Sequence, residues 1–360
     1  MLSLAGMARH ESRLKAASAL AVVGLCACRG DSGAAIGGHG TSPDAGKSVP
    51  TPTSSGGGSP VRPAGSASGG GGTGSDSDAG NTTNGMDGGA LPDAGTDSSA
   101  ATLPPVSDKG QTGSFAVMTQ GSTGPGNNYT LYYPTQIATD GYRHPSLVWG
   151  NGALATPSNY TTLLTTIASN GFVIIEYAST PNAQQMTDAI DWLVAQNEAQ
   201  GSVLYHHLDV SEIAAGGHSA GSLAAFDVAA DPRLVTTVHL SGGTMSPHTE
   251  LANLRHAALF VCGDVPTGVG LTTGDVANPN CEYDFENATV PVFYGMQKGA
   301  SHLSTYDGIG DDTQRTQFAR AIIGWLGWKL AGEQPLATMF IGASCTLCTD
   351  PAWTIEQRGL

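Results

Sequence analysis

Aromatic side chains are missing from a long stretch near the start of this 360-residue chain. Residues 29–106 contain no Phe, Trp or Tyr, yet they hold 20 of the 50 glycines. Such a stretch cannot bury enough apolar surface to offset the entropy lost on ordering. We therefore predict a disordered Gly/Ser/Pro/Asp-rich linker at residues 29–111. The remainder, residues 112–360, has the length of one large domain.

Charged residues are also scarce, and basic ones most of all. Only 12% of residues are charged, and the 30 acidic residues outnumber the 15 basic ones, which gives a net charge of −15. Proteins that bind nucleic acid present clustered positive charge to the phosphates. The composition therefore argues against a nucleic acid as partner.

The N-terminus carries the pattern of an export signal. Basic residues up to Lys15 are followed by the apolar run 16–25, which is too short to span a bilayer. The run ends in Leu25–Cys28 (Leu-Cys-Ala-Cys), which resembles a bacterial lipobox with Cys28 as the lipidated residue. We predict a lipoprotein signal at residues 1–28, with acyl chains on Cys28 holding the protein at the membrane of the cell envelope or cell surface. The alternative is an ordinary signal and a secreted protein.

From Gly113 onward, strand-like and helix-like segments alternate, which indicates βαβ units and a mostly parallel sheet. The predicted strands are 114–119, 129–133, 146–149, 172–177, 213–217, 235–240, 258–262 and 290–294. The predicted helices are 160–169, 183–197, 220–230 and 313–330, the last of which closes the domain.

The pentapeptide Gly217–Gly221 (Gly-His-Ser-Ala-Gly) fits the pattern G-x-S-x-G of a nucleophilic serine. It lies between a predicted strand and a predicted helix, and its glycines suit a turn too tight for Cβ atoms. A serine hydroxyl needs a base to become a nucleophile. His218 would point away from its neighbour Ser219, whereas His302 follows the last predicted strand, where this fold class has its histidine. We predict Ser219 as nucleophile and His302 as base.

Four segments resemble α/β-hydrolases of the cutinase and polyester-hydrolase type, over about residues 112–330. They are Gly152-Ala153 with the following 167–172, the serine pentapeptide, 259–263, and Gly299–His302 (Gly-Ala-Ser-His). The resemblance implies an α/β-hydrolase fold and a serine ester hydrolase that works through an acyl-enzyme without metal or organic cofactor. It also implies an oxyanion hole formed by the backbone N–H groups of Ala153 and Ala220.

The acid of the triad is where the chain departs from the family. The family reads G-x-x-x-D-x-x-A-P after the seventh strand, and here Thr267 occupies the position of the Asp. Asp264 comes three places early, whereas Asp275 is followed by an Ala and a Pro, as in the family. We favour Asp275, with 265–274 as an inserted loop, over Asp264. Whichever serves must hold the His302 imidazole in the right tautomer.

Four cysteines, Cys262, Cys281, Cys345 and Cys348, lie in the predicted domain. An even set in an exported protein favours disulfides, and three pairings are open. We expect Cys262 to pair with Cys281, because these two flank the loop with the candidate acids. Cys345 and Cys348 have no second Cys-x-x-Cys and no nearby His cluster, so no metal site is predicted.

Substrate contacts also differ from the family pattern. The family usually has an aromatic residue at the place of Ala153, and its polyester hydrolases carry a Trp where this chain has 241–245. No long lid-like insertion is visible. The expected substrates are therefore aliphatic or polymeric esters. The alternatives are a carbohydrate acetyl esterase, a short-chain lipase or, in a different class, a surface binding protein on a decayed hydrolase fold, which the displaced acid would favour.

Overall fold

The computed structural model of the protein describes residues 101–265 and 278–360. Within these ranges, nine strands form one sheet in the order β1-β2-β4-β3-β5-β6-β7-β8-β9. The strands are β1 (Val117–Thr123), β2 (Tyr129–Pro134), β3 (His144–Gly150), β4 (Val173–Tyr177), β5 (Leu208–His218), β6 (Leu234–Leu240), β7 (Ala258–Val265), β8 (Val292–Ser301) and β9 (Trp353–Arg358). From β4 to β8 all neighbours are parallel, whereas β1, β2 and β9 join antiparallel at the edges. The mostly parallel sheet flanked by helices fits the predicted α/β class.

Helices cover both faces of this sheet. They are α1 (Thr161–Ala168), α2 (Ala183–Glu198), α3 (Ala220–Val228), α4 (Asn278–Asn287) and α5 (Asp312–Lys329). Leu147 and Trp149 of β3 pack in the core on the side of α1 and α5, while Val148 between them packs on the side of α2 and α3. Strands buried on both faces are mostly apolar rather than alternating, which is why β3 and β4 each contain a short apolar run.

Helix α2 shows how local sequence sets an element. The Asn182 side chain accepts a hydrogen bond from the Gln185 N–H at 3.1 Å, which caps the first turn. Met186, Ile190 and Leu193 form a buried apolar stripe along α2, and the polar Asn197 in line with them is buried as well. The Asn197 Oδ1 accepts a hydrogen bond from the Leu208 N–H at 3.0 Å. The polar member of the stripe therefore fixes the start of β5.

The end of the domain differs from the prediction. Helix α5 does not close it, because the chain continues through the short 3-10 helix Gln334–Met339 into β9, which pairs antiparallel with β8. Only Trp353 of β9 is buried, so this edge strand lacks the apolar alternation that would reveal it. Helix α4 was also not predicted, since its sequence is mostly polar.

Residues that precede β1 pack on the domain. Val106 is buried, and its N–H donates to the Glu333 Oε1 at 3.0 Å. The Ser107 N–H donates to the Asn170 Oδ1 at 2.7 Å. The linker boundary drawn at residue 111 from composition therefore lies inside a packed segment. The remainder of that linker, and the signal with Cys28, lie outside the described residues.

Two disulfides join the four cysteines of the domain. Cys262 is bonded to Cys281 and Cys345 to Cys348, which confirms the expected Cys262–Cys281 bond. The first links β7 to α4. Within the described ranges, no helix has the length and apolar character needed to cross a bilayer.

Candidate active site

Ser219 lies on the turn between β5 and α3, as the motif predicted. Its backbone has φ 55° and ψ −118°, a conformation that residues with a Cβ rarely adopt. The Ser219 N–H donates to the Leu240 carbonyl at 3.0 Å, which ties the turn to the end of β6. The surrounding structure thus holds a strained turn that carries the serine at the carboxyl edge of the sheet.

Glycines beside Ser219 are required by close backbone packing. A Cβ atom on Gly217 would lie 2.4 Å from the Gly221 carbonyl carbon, and one on Gly221 would lie 2.0 Å from the Gly150 oxygen. The start of α3 therefore packs directly, backbone to backbone, on the end of β3. A Cβ atom at either position would separate these two backbones, which is why both motif positions are glycine.

His302 follows the last residue of β8 and is only 4% exposed. Its ring centroid lies 4.7 Å from that of His218, and its carbonyl accepts a hydrogen bond from the His218 Nε2 at 2.8 Å. The fold thus brings the predicted base against the residue that immediately precedes Ser219.

His218 itself is directed into the protein. It is fully buried, and its Nδ1 lies 2.9 Å from the Tyr160 hydroxyl. Burial, together with the neighbouring His302, holds the pKa of His218 well below its usual value, so its imidazole is neutral. The prediction that this side chain points away from its neighbour Ser219 agrees with these contacts.

The loop after β3 carries the first predicted oxyanion donor. The Gly152 N–H donates to the Tyr160 hydroxyl at 2.9 Å, and the Gly152 carbonyl accepts from the Thr180 hydroxyl at 2.7 Å and the Ala155 N–H at 3.1 Å. Leu154 has a left-handed backbone conformation, with φ 62°, which turns the chain. Among the described residues the Ala153 N–H has no acceptor, so it is available to a ligand.

The second predicted donor belongs to the first residue of α3. The Ala220 N–H lies at a helix N-terminus, where backbone N–H groups have no acceptor within the helix. Because Gly150 contacts Gly221, the loop with Ala153 and the start of α3 lie side by side. Both donors are therefore backbone groups at the carboxyl edge of the sheet, on either side of the point where strand order reverses around β3.

Of the two candidate acids, only Asp264 lies within the described residues. Asp264 is exposed near the end of β7, and its Oδ1 accepts a hydrogen bond from the Gly299 N–H at 2.7 Å. This bond ties β7 to β8 three residues before His302. Asp275 and Thr267 lie outside the described residues, so the preference for Asp275 stays a prediction.

Sequence reasoning missed a polar cluster on the loop after β6. The buried Asp284 of α4 accepts hydrogen bonds from the Thr244 N–H, at 2.6 Å, and from the Thr244 hydroxyl. The Thr244 oxygen in turn accepts from the His248 Nδ1, 2.8 Å away. Burial raises the pKa of Asp284 above its ordinary value. No local signal marks this cluster, because α4 was not predicted and the Cys262–Cys281 bond brings it to β7.

Large apolar side chains are exposed along the same edge of the sheet. Leu154, after β3, is 96% exposed, Met245, after β6, is 62% exposed, and Ile309, after β8, is 54% exposed. We call these three residues the apolar rim. Contiguous exposed apolar patches mark surfaces that meet a ligand or partner, and these three side chains share the edge of the sheet that carries Ser219. The described residues contain no group of three side chains suited to hold a metal ion.

Comparison with known families gives a match over part of the chain. The model of the PETase family, described as PET hydrolase-like, matches residues 92–266. The matched range includes Ala153 and Ser219 and ends before His302. It confirms the resemblance to the polyester hydrolases of the α/β-hydrolase class, and it implies a hydrolase that acts on esters. No curated protein matches the chain.

Proposed function

We propose that the protein is a serine-dependent carboxylic ester hydrolase of the cutinase type that acts on aliphatic or polymeric esters. The observation that carries this proposal is the strained turn at Ser219. The N–H groups of Ala220, directly after it, and of Ala153, on the neighbouring loop, have no acceptor among the described residues. The His302 ring contacts that of His218, directly before Ser219. The family match implies an ester as substrate, and the site supplies groups suited to acyl transfer.

The groups at this site have distinct roles in the proposed reaction. The Ser219 hydroxyl attacks the ester carbonyl while His302 takes its proton, and the N–H groups of Ala153 and Ala220 stabilise the oxyanion. His302 then returns the proton to the leaving alcohol, which gives an acyl-enzyme and free alcohol. Water, activated by the same imidazole, releases the carboxylic acid and regenerates Ser219. Asp275 orients His302 in this scheme, with Asp264 as the alternative.

The apolar rim supports an aliphatic acyl or polymeric substrate. Ala153 offers no ring beside the oxyanion donor, whereas Leu154 next to it is almost fully exposed. Leu154, Met245 and Ile309 would all lose contact with water when an apolar chain lies across the carboxyl edge of the sheet. Burying such surface contributes about 25 cal/mol per Å².

The test is hydrolysis of nitrophenyl butyrate by the wild type and by Ser219→Ala and His302→Ala. Each variant should lose about 10³-fold or more in turnover while its circular dichroism is unchanged, because triad members act as a unit. Ser211→Ala is the matched control, since this exposed serine lies on β5 before the site. Near-wild-type turnover in either variant would refute the assignment. A folded wild type without turnover would favour the binding-protein alternative.

Substrate class is tested by comparing soluble short-chain esters, acetylated carbohydrates, triglycerides and films of aliphatic polyester. Release of acid from the polyester films supports the polyesterase proposal. Activity confined to acetylated carbohydrates would instead identify an acetyl esterase, and activity confined to triglycerides a lipase.

We also propose that the protein is exported and anchored through lipid on Cys28. Cys28→Ser should move it from the membrane fraction to the soluble exported fraction. The same distribution for both proteins would support the ordinary signal instead.

A further inference from the structure

The hydroxyl of Tyr160 lies where three segments of the active site meet. The side chain is fully buried, just before α1. Its oxygen lies 2.9 Å from the Gly152 N–H nitrogen, 2.9 Å from the His218 Nδ1 and 3.1 Å from the Tyr306 hydroxyl. Ring contacts join Tyr160 to His218 and Tyr306 as well.

The direction of each hydrogen bond follows from the partners. The His302 carbonyl can only accept, so the His218 Nε2 carries the proton that donates to it. The neutral His218 ring therefore accepts at Nδ1, and the Tyr160 O–H donates to it. The single Tyr160 proton is then committed to His218, its oxygen accepts from the Gly152 N–H, and the Tyr306 hydroxyl oxygen lies 3.1 Å away.

Two partners of this hydroxyl, Gly152 and His218, are next to groups that the proposed reaction uses. Gly152 precedes Ala153, whose N–H is the first oxyanion donor. His218 precedes Ser219 and holds the carbonyl of His302 through its other nitrogen. The oxyanion loop, the nucleophile turn and the base are therefore linked through one side chain that does not reach the reacting atoms.

We propose, on the basis of the function proposed above, that Tyr160 is a positioning residue. It holds the Ala153 N–H and the His302 imidazole at the positions that they need relative to the Ser219 hydroxyl. The packing leaves no space for a replacement partner: a Cβ on Gly152 would lie 2.8 Å from the His218 Nδ1 and 2.9 Å from the Tyr306 oxygen. Loss of the hydroxyl removes the partner of two buried polar groups, the Gly152 N–H and the His218 Nδ1, which is costly. The loops move to recover these bonds, and the oxyanion donor moves with them.

The experiment compares Tyr160→Phe with wild type and with the control Tyr205→Phe, whose ring lies at the opposite edge of the sheet, just before β5. Active sites are counted by labelling with a fluorophosphonate, and kcat and KM for nitrophenyl butyrate are expressed per active site. Affinity for butylboronic acid, which forms a tetrahedral adduct with the serine, reports the oxyanion hole.

In Tyr160→Phe, kcat per active site should fall about 10- to 100-fold, because misplacement of a catalytic group by about 1 Å costs about that much. KM should change less than about threefold, and boronate affinity should fall in parallel with kcat. Tyr205→Phe should match wild type. Tyr306→Phe, which removes only the 3.1 Å contact between the two tyrosine hydroxyls, should give a smaller loss in both quantities.

Two results would overturn the proposal: kcat per active site within about twofold of wild type, or fewer active sites with unchanged kcat, which is what a merely structural role gives. If Tyr160→Phe does not fold, Tyr306→Phe decides, and unchanged kcat and boronate affinity in that variant overturn the proposal. Failure of the proposed function is read separately, because the wild type would then show neither turnover nor fluorophosphonate labelling at Ser219.

Discussion

Glu176 is a carboxyl group that the fold buries completely near the end of β4. The Tyr132 hydroxyl donates to its Oε2 at 2.8 Å, and its Oε1 has no partner among the described residues. Burial raises the pKa of Glu176 to about 8, and the side chains of Tyr132 and Asn151 only partly oppose this. The native protein therefore holds a neutral carboxylic acid here at physiological pH. We predict that Glu176→Gln, which keeps the shape and remains neutral, changes how stability depends on pH.

The sign follows from the proton that each state holds. In the unfolded chain this group loses its proton near the ordinary glutamate pKa of 4.5, whereas the native state keeps it until about pH 8. Stability from this group is thus fully present below about pH 4.5 and is lost as pH rises toward 8. At about 1.4 kcal/mol per pKa unit, the wild type should lose roughly 3 kcal/mol of unfolding free energy between pH 5 and pH 8 through this group. Glu176→Gln should not lose it.

Urea unfolding at both pH values measures this directly. The unfolding free energy of Glu176→Gln minus that of wild type should rise by about 3 kcal/mol from pH 5 to pH 8. Glu356→Gln on the exposed edge of β9 is the matched control, and its difference from wild type should be nearly independent of pH. An equal pH dependence in the two variants would show that Glu176 is ionised in the native protein.

Three further predictions concern the site. Asp275→Asn should lower kcat about 10³- to 10⁴-fold, and Asp264→Asn about tenfold or less, as measured with nitrophenyl butyrate; the reverse order would identify Asp264 as the acid. Gly221→Ala should destabilise the protein by about 1–3 kcal/mol in urea unfolding through overpacking, although alanine favours helices. Gly121→Ala is the control and should be nearly neutral, because nothing lies within 4 Å of a Cβ at that position. Equal effects of the two substitutions would refute the steric argument. Leu154→Ser should raise KM for hexanoate esters more than for acetate esters, and an equal change for both would exclude contact between Leu154 and the acyl chain.

The parts of the site that sequence reasoning found are those with local signals. The turn at Ser219 has a motif of five residues between a strand and a helix, and His302 follows the last parallel strand, so chain order alone selects them. The sheet was predicted where strands are continuously apolar, as in β3 and β4. Weakly apolar elements, α4 and β9, carry no such pattern and were missed.

Contacts between distant residues could not be predicted. Tyr160 meets His218 across 58 residues and Tyr306 across 146, and nothing near Tyr160 in the sequence distinguishes it from a core tyrosine. The Asp284 cluster depends on the Cys262–Cys281 bond and on a helix that was not predicted. Such polar clusters are built by tertiary packing, which periodicity in the sequence does not report.

The contact of Gly150 with Gly221 has a consequence for how the protein could be altered in the laboratory. The backbone seam between β3 and α3 sets the spacing of the two loops with the N–H donors, and no side chain takes part in it. The exposed side chains of Leu154 and Met245 belong to the loops after β3 and β6 and are not among the nearest neighbours of Gly150 or Gly221. Combinatorial libraries at these two positions should therefore alter substrate range while leaving the reaction geometry intact, whereas any library that includes Gly150 or Gly221 should consist mostly of inactive clones.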